Sequence, residues 1–231
     1  MKVKLLSLSC LGVLALSSQA AVILSATEDN NVLWSAPNTV QQSSGSADAL
    51  QLKGPYSSQG NTRTAYLKFA LPTSGTAGLN QARLSLTVSS NPTTTFDVRI
   101  YALNTGVAGS NWAENTITWN NSPGLGTGPG NLYGLDPAKV TALGDFSQIT
   151  SGTNLGDTRS LLFSDWENYR QADDAITLIA VVTGQGSATP GLNFASSEHA
   201  TLEGPTLELI PEPSAAMLAL CSLSGLLRRR R

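Results

Sequence analysis

Residues 64–71 read TAYLKFAL, and their alternation decides the fold class. Ala65, Leu67, Phe69 and Leu71 fall on one face, and Thr64, Tyr66, Lys68 and Ala70 on the other. A period of two marks a strand with one apolar face and one polar face. The pattern recurs at 82–88 (ARLSLTV), where Leu84, Leu86 and Val88 alternate with Arg83, Ser85 and Thr87. It recurs again at 96–102 (FDVRIYA), where Phe96, Val98 and Ile100 alternate with Asp97, Arg99 and Tyr101. Three such strands are expected to form half of a sandwich. Residues 175–183, AITLIAVVT, are nearly continuously apolar and predict a central strand. Shorter strands are expected at 27–34, 49–53, 192–196 and 206–210. The Gly-rich region 122–157 reads as long loops with one short strand near 139–143.

Composition agrees with this reading. Only 13% of the 231 residues are charged and 41% are hydrophobic, which suits short strands joined by polar turns and excludes a disordered chain. The length fits one β domain plus processing segments. Ser164 and Glu167 make a capping box at the head of SDWENYRQA (164–172), which predicts one short helix. The expected architecture is therefore all-β, an antiparallel β-sandwich of jelly-roll-like kind with a single short helix.

Residues 112–123, WAENTITWNNSP, read as a turn, a short strand over the β-branched run Thr116, Ile117 and Thr118, and a second turn closed by Pro123. Ile117 and Trp119 then share a face that needs a core to enter. This stretch resembles the W-x-E-x-T-x-T-W-N-N-x-P signature of the DNRLRE domain family. The APNT after the first strand, RTAYLKF, ARLSLTV and the closing FASSEHATLEGPTLEL follow in that family's order across 27–210. The resemblance implies a β-sandwich on secreted proteins, grouped with carbohydrate-binding modules, and, because Trp112 and Trp119 stand in the shared signature, it implies packing roles for them rather than sugar platforms. Two departures stand out: VQQSSG replaces the usual Asn-Tyr-Gly after the first turn, and Ser197 replaces a basic residue before Glu198.

Both ends read as addresses. Lys2 and Lys4 precede an apolar run at 5–16, and Ser18, Gln19 and Ala20 place small residues at a cleavage position, so 1–20 is expected to be a signal peptide. Pro211, Glu212 and Pro213 are followed by an apolar stretch at 214–227 and then by Arg228, Arg229, Arg230 and Arg231. A permanent span takes about 20 apolar residues, so this segment suits a transient anchor with its Arg cluster on the cytoplasmic side. The order resembles the PEP-CTERM sorting signal, which implies cleavage near residues 211–213 by an exosortase. The expected organisation is a signal peptide (1–20), a β-sandwich domain (21–210) and a sorting signal (211–231).

Removing both ends leaves 8 of the 14 Lys and Arg against 15 of the 16 acidic residues, a net charge of −7. An acidic body excludes nucleic acid as the expected partner, since phosphate binding requires a basic surface. Cys10 and Cys221 both lie in the removed segments, so the mature domain has neither disulfide nor thiol nucleophile. The chain has one His, His199, no second His or Cys at metal-ligand spacing, and no G-x-S-x-G elbow. No pair of carboxylates can be placed across a sugar bond from the pattern. No catalytic residue, cofactor or metal site is expected.

The binding candidates are the polar-face residues Tyr66, Lys68, Arg99 and Tyr101. If they share one sheet surface, two aromatics can stack on sugar rings and two cations can pair with uronate carboxylates. The expected function is a non-catalytic, secreted, exosortase-processed protein that associates with extracellular, acidic polysaccharide. A structural surface or biofilm protein without a discrete sugar site, and a polysaccharide lyase or hydrolase, are the alternatives. Signal peptidase and exosortase would be its partners during export, and its destination the cell surface or extracellular matrix after transient inner-membrane anchoring.

Overall fold

A computed structural model of the protein describes residues 20–41, 48–54, 62–126, 134–186 and 191–211. The signal peptide, save Ala20, and all of the sorting signal beyond Pro211 lie outside the described residues. So do Glu212, Pro213 and the terminal Arg228, Arg229, Arg230 and Arg231. Among the described residues no helix is long and apolar enough to cross a membrane.

Eleven strands are described: β1 (Val22–Ser25), β2 (Glu28–Leu33), β3 (Ala49–Leu52), β4 (Arg63–Ala70), β5 (Gln81–Thr87), β6 (Phe96–Leu103), β7 (Val140–Ile149), β8 (Thr158–Ser164), β9 (Ala175–Gln185), β10 (Leu192–Ala195) and β11 (Thr206–Ile210). They form a four-stranded sheet in the order β1-β11-β5-β8 and a five-stranded sheet in the order β2-β4-β9-β6-β7. All pairings in both sheets are antiparallel. The β-sandwich expected from the alternation is the fold observed. β3 and β10 make a separate pair that bridges the two sheets through Lys53 to Arg63 and Val88 to Phe194.

The apolar faces meet where the period of two puts them. Leu67 and Phe69 of β4, Leu84 and Leu86 of β5, Phe96, Val98 and Ile100 of β6, and Leu178 and Val182 of β9 share one buried cluster between the sheets. One expectation needs correcting here. The three alternating strands do not form one half of the sandwich, because β5 belongs to the four-stranded sheet while β4 and β6 belong to the other, separated by β9. β9 is the central strand its composition predicted: Ile176, Leu178 and Ala180 enter the inner core, while Ile179 and Val181 enter a second core on the opposite face.

That second core is built by residues 104–126 and 134–139, which lie on the outer face of the five-stranded sheet. Trp112, Ile117, Trp119 and Leu135 from this cover pack onto Val32, Tyr66, Ile179 and Val181. The strand expected at 116–119 is absent. Ile117 N–H and Thr116 N–H both bond to the Ala113 carbonyl, and Trp119–Asn121 forms a single 3-10 turn. No neighbouring strand edge is needed, because the Asn121 side chain supplies both partners: its Oδ1 accepts from Thr118 N–H (2.6 Å) and its Nδ2 donates to the Thr116 carbonyl (2.9 Å). Ile117 and Trp119 nonetheless enter the same core, so the common apolar destination survives the change of backbone.

The expected short helix is likewise reduced to a 3-10 turn, Trp166–Tyr169. Ser164 ends β8, and Asp165 after it sits in the left-handed region (φ 58°), so no helix can propagate from a Ser164 cap. The turn instead delivers Trp166 into the inner core, where its indole N–H donates to the Leu79 carbonyl at 2.6 Å. β1 and β8, which carry no clear signal, complete the four-stranded sheet, and β7 is longer than the short strand expected there.

Candidate functional site

The cover changes the meaning of the polar face of β4. Tyr66 is fully buried, with its hydroxyl donating to the Pro123 carbonyl (3.1 Å) and its ring edge-on to Trp112 at 6.0 Å. Burial pushes its hydroxyl pKa well above the ordinary tyrosine value. Lys68 is only 8% exposed; its Nζ donates to the Trp112 carbonyl (2.5 Å), lies 5.2 Å from the centre of the Trp112 ring, and approaches Asp173 at 3.7 Å. Both side chains thus act as posts under the cover rather than as outward binding groups. Their long apolar stems fill the second core and their polar tips meet carbonyls, which lets residues of this kind be buried without an unmet hydrogen bond.

Arg99 and Tyr101 stay half-exposed on β6. The Arg99 guanidinium makes a two-pronged contact to Asp145 (2.7 and 3.0 Å), which raises its own pKa and lowers that of Asp145. The structure therefore does not present Tyr66, Lys68, Arg99 and Tyr101 as a solvent-facing set of four. Trp112 and Trp119 are buried as expected. Trp112 donates its indole N–H to Thr177 Oγ1 (3.1 Å), and Trp119 lies edge-on to Trp34 at 5.2 Å. Trp34 is 42% exposed on the loop after β2. That loop is tied to the motif by Asn120 N–H to the Pro37 carbonyl and Asn120 Nδ2 to Asn38 Oδ1.

His199 shapes a turn: its Nδ1 accepts from the backbone N–H groups of Thr201 (3.2 Å) and Leu202 (3.0 Å). The turn carries Glu198 toward β2, and a group that the sequence pattern did not reveal assembles there. Asp29 of β2, Glu114 of the motif and Glu198 each bring a carboxylate oxygen to within 4.8 Å of the others. Asp29 is fully buried. One of its oxygens, Oδ2, accepts from Ser197 N–H (2.7 Å), while the other, Oδ1, is buried without a partner. Glu114 N–H donates to Glu28 Oε2 (2.7 Å), Asn30 Nδ2 donates to the Glu114 carbonyl (2.8 Å), and Ser197 Oγ lies 2.6 Å from Glu198 Oε1. Burial pushes the Asp29 carboxyl up to about 7, with repulsion from Glu198 and Glu114 adding to it against the Ser197 hydrogen bonds. Burial, Glu198 and Glu28 raise Glu114 in the same direction.

The three carboxylates lie far apart from one another in the chain, so no local spacing rule finds them. The signal present in the sequence is an Asp inside a strand otherwise destined for burial, together with the Glu of each of two motif stretches, 112–123 and 194–209.

The covered, doubly cored sheet and the motif that builds its cover lie within residues 21–139 save for β7 and β9, and this segment matches the family model described as carbohydrate-binding module family 96. The chain belongs to carbohydrate-binding module family 96. No curated protein matches it. Membership points to carbohydrate binding and to a binding domain rather than a catalyst. Within the family 96 segment lie the acidic residues Asp29 and Glu114, the exposed Trp34, and the Arg99 and Tyr101 pair; Glu198 comes from the part of the module beyond the match.

Proposed function

We propose that the chain is an exported, exosortase-processed, non-catalytic protein that binds extracellular polysaccharide, acidic polymer in particular. The observation that carries the sugar reading is the family 96 match across residues 21–139. Support for an acidic ligand comes from Arg99. Its side chain and that of Asp145 are 40% and 50% exposed, and exposed ion pairs contribute only about 0.2–1 kcal/mol, so a uronate carboxylate can replace Asp145 at small cost. Tyr101, two positions along the same strand face, offers ring surface beside it. Trp34 supplies a second exposed aromatic of the kind on which sugar rings stack.

Affinity electrophoresis in gels containing a uronate-rich polymer tests this reading. Wild type is expected to be retarded, and the Arg99→Ala, Tyr101→Ala double variant to bind about tenfold more weakly, the loss of one charge-assisted contact of about 1.4 kcal/mol. Retardation should weaken with salt as screening shortens to roughly 8 Å. Equal retardation of both proteins removes this pair from the site. Absence of retardation with anionic and neutral polymers alike favours a matrix protein without a discrete sugar site. That second reading draws on the engagement of other cations by acidic neighbours, such as Arg83 with Glu208, Lys139 with Asp136, and Arg170 with Glu167 and Asp174. Release of unsaturated or reducing sugar would make the protein a lyase or hydrolase.

The processing reading rests on the two ends of the chain: signal peptidase acting after Ala20, transient anchoring in the inner membrane, and exosortase acting near Pro211 to deliver the body to the cell surface or matrix. Intact mass of the protein recovered from the surface of producing cells is expected to correspond to a chain beginning near Ala21 and lacking residues 217–231. A recovered chain that retains Arg228 to Arg231 would overturn the sorting-signal assignment.

A further inference from the structure

Independently of the sugar site, we propose that Asp29, Glu114 and Glu198 hold a calcium ion that fastens the outer edge of β2 to the cover and to the closing turn. The first observation is convergence: three carboxylates from distant stretches place oxygens within 4.8 Å of one another, and among the described residues none of them is in an ion pair. The second is the fully buried Asp29 carboxylate, directed into this group with Oδ1 unpartnered.

Of the backbone donors around the site, Ser197 N–H goes to Asp29 Oδ2 and leaves Oδ1 unserved, and Glu114 N–H goes to Glu28 rather than to any of the three carboxylates. A buried carboxylate oxygen left without a partner is costly, and three mutually repelling carboxylates compound the cost. A cation relieves both.

The ligand atoms choose the metal. An all-oxygen carboxylate set suits a hard cation rather than zinc or copper. Calcium, at about 2.4 Å, accepts an irregular shell of carboxylate and water oxygens, whereas magnesium, at about 2.1 Å, demands strict octahedral angles that carboxylates from three separate segments are poorly suited to supply. Glu198 is exposed, which leaves room for water to complete the six to eight oxygens calcium takes, about that number being usual. Bound there, the ion ties together the strand edge, residues 112–118 and the turn after β10, three segments otherwise joined by a few hydrogen bonds.

Calorimetric titration of the full-length chain with calcium chloride after chelation, with thermal unfolding in chelator and in saturating calcium, tests the assignment. Wild type is expected to bind one equivalent and to unfold roughly 5–10 °C higher with calcium. Glu198→Gln changes an exposed residue and should fold normally, yet bind calcium at least about tenfold more weakly, as expected for loss of one ligand. Asp29→Asn should lose the thermal response while unfolding in chelator no lower than wild type. Magnesium at equal concentration should shift wild type less. An unchanged wild-type midpoint with no heat of binding overturns the proposal. A full response retained by both variants overturns it too, by placing the ion elsewhere.

Discussion

Trp112→Ala is expected to destabilise the protein by about 4–5 kcal/mol, at the upper end for truncation of a buried large aromatic. Three losses combine at this residue. The indole leaves a void in the second core beside the edge-on Tyr66 ring. Thr177, fully buried on β9, loses the indole N–H bonded to its hydroxyl. The buried Lys68 ammonium loses the aromatic face that lies 5.2 Å from it, although it keeps the backbone carbonyl of residue 112. For a domain of this size the melting temperature should fall by roughly 8–20 °C. Trp112→Phe keeps most of the packing and should cost about 1–2 kcal/mol, which separates ring from hydrogen bond. Urea unfolding of the three proteins measures this, and a loss below about 1 kcal/mol for the alanine variant would show that the cover carries no weight.

The second large effect is a pH dependence of unusual sign. In chelating buffer, the Asp29 carboxyl titrates at about 7 in the folded protein, against 3.8 for the same side chain in water. Below about pH 4 the group is protonated both folded and unfolded, and its burial costs little. Between about 4 and 7 the unfolded chain releases its proton first, so stability falls as pH rises through this window. Above it the loss is on the order of 4 kcal/mol, because each tenfold difference in proton affinity between the folded and unfolded chain is worth about 1.4 kcal/mol. Ordinary salt-bridged carboxylates give the opposite slope. Burial is the main cause, the facing Glu198 and Glu114 carboxylates add to it, and the Ser197 hydrogen bonds oppose it without reversing the sign. Asp29→Asn should flatten the slope and exceed wild type in stability at about pH 8, with Asn Oδ1 still able to accept from Ser197 N–H. An identical slope in the variant, or wild-type stability that rises from about pH 5 to 8, would count against this assignment.

The inner core was legible in the sequence because period-two alternation is a local property. Leu67, Phe69, Leu84, Leu86, Val98 and Ile100 all point where the pattern sends them. The outer face of β4 was not. Tyr66 and Lys68 alternate with apolar residues in the same way whether water or a folded cover lies above them, and only the path of residues 104–126 and 134–139 distinguishes the two cases. Residues 116–118 misled in a different manner. Their β-branched run favours extended backbone, but the Asn121 side chain satisfies it locally and no strand edge is recruited. The Ser164 capping box failed at one residue, Asp165, whose backbone is left-handed and is followed by Trp166 buried in the inner core. The carboxylate group around Asp29 was out of reach because its members meet only through the pairing of β2 with β4 and the turn after β10.

The place of β9 has a consequence for how the molecule comes into being. β4 and β6 are close in sequence but never pair; each is bonded to β9 instead. Until Gln185 is available, the five-stranded sheet exists only as two separate pieces with open edges, β2 with β4 and β6 with whatever it has found of β7. Closing the sheet therefore joins β4 to a strand far along the chain, the kind of long-range pairing that makes folding slow. The segment matched by the family model ends at residue 139, before β7 and β9, so from this strand order it is not expected to fold as a unit by itself. A fragment comprising 21–139 should stay unstructured, and adding back a chain that contains β7 to β11 is the way to make it whole.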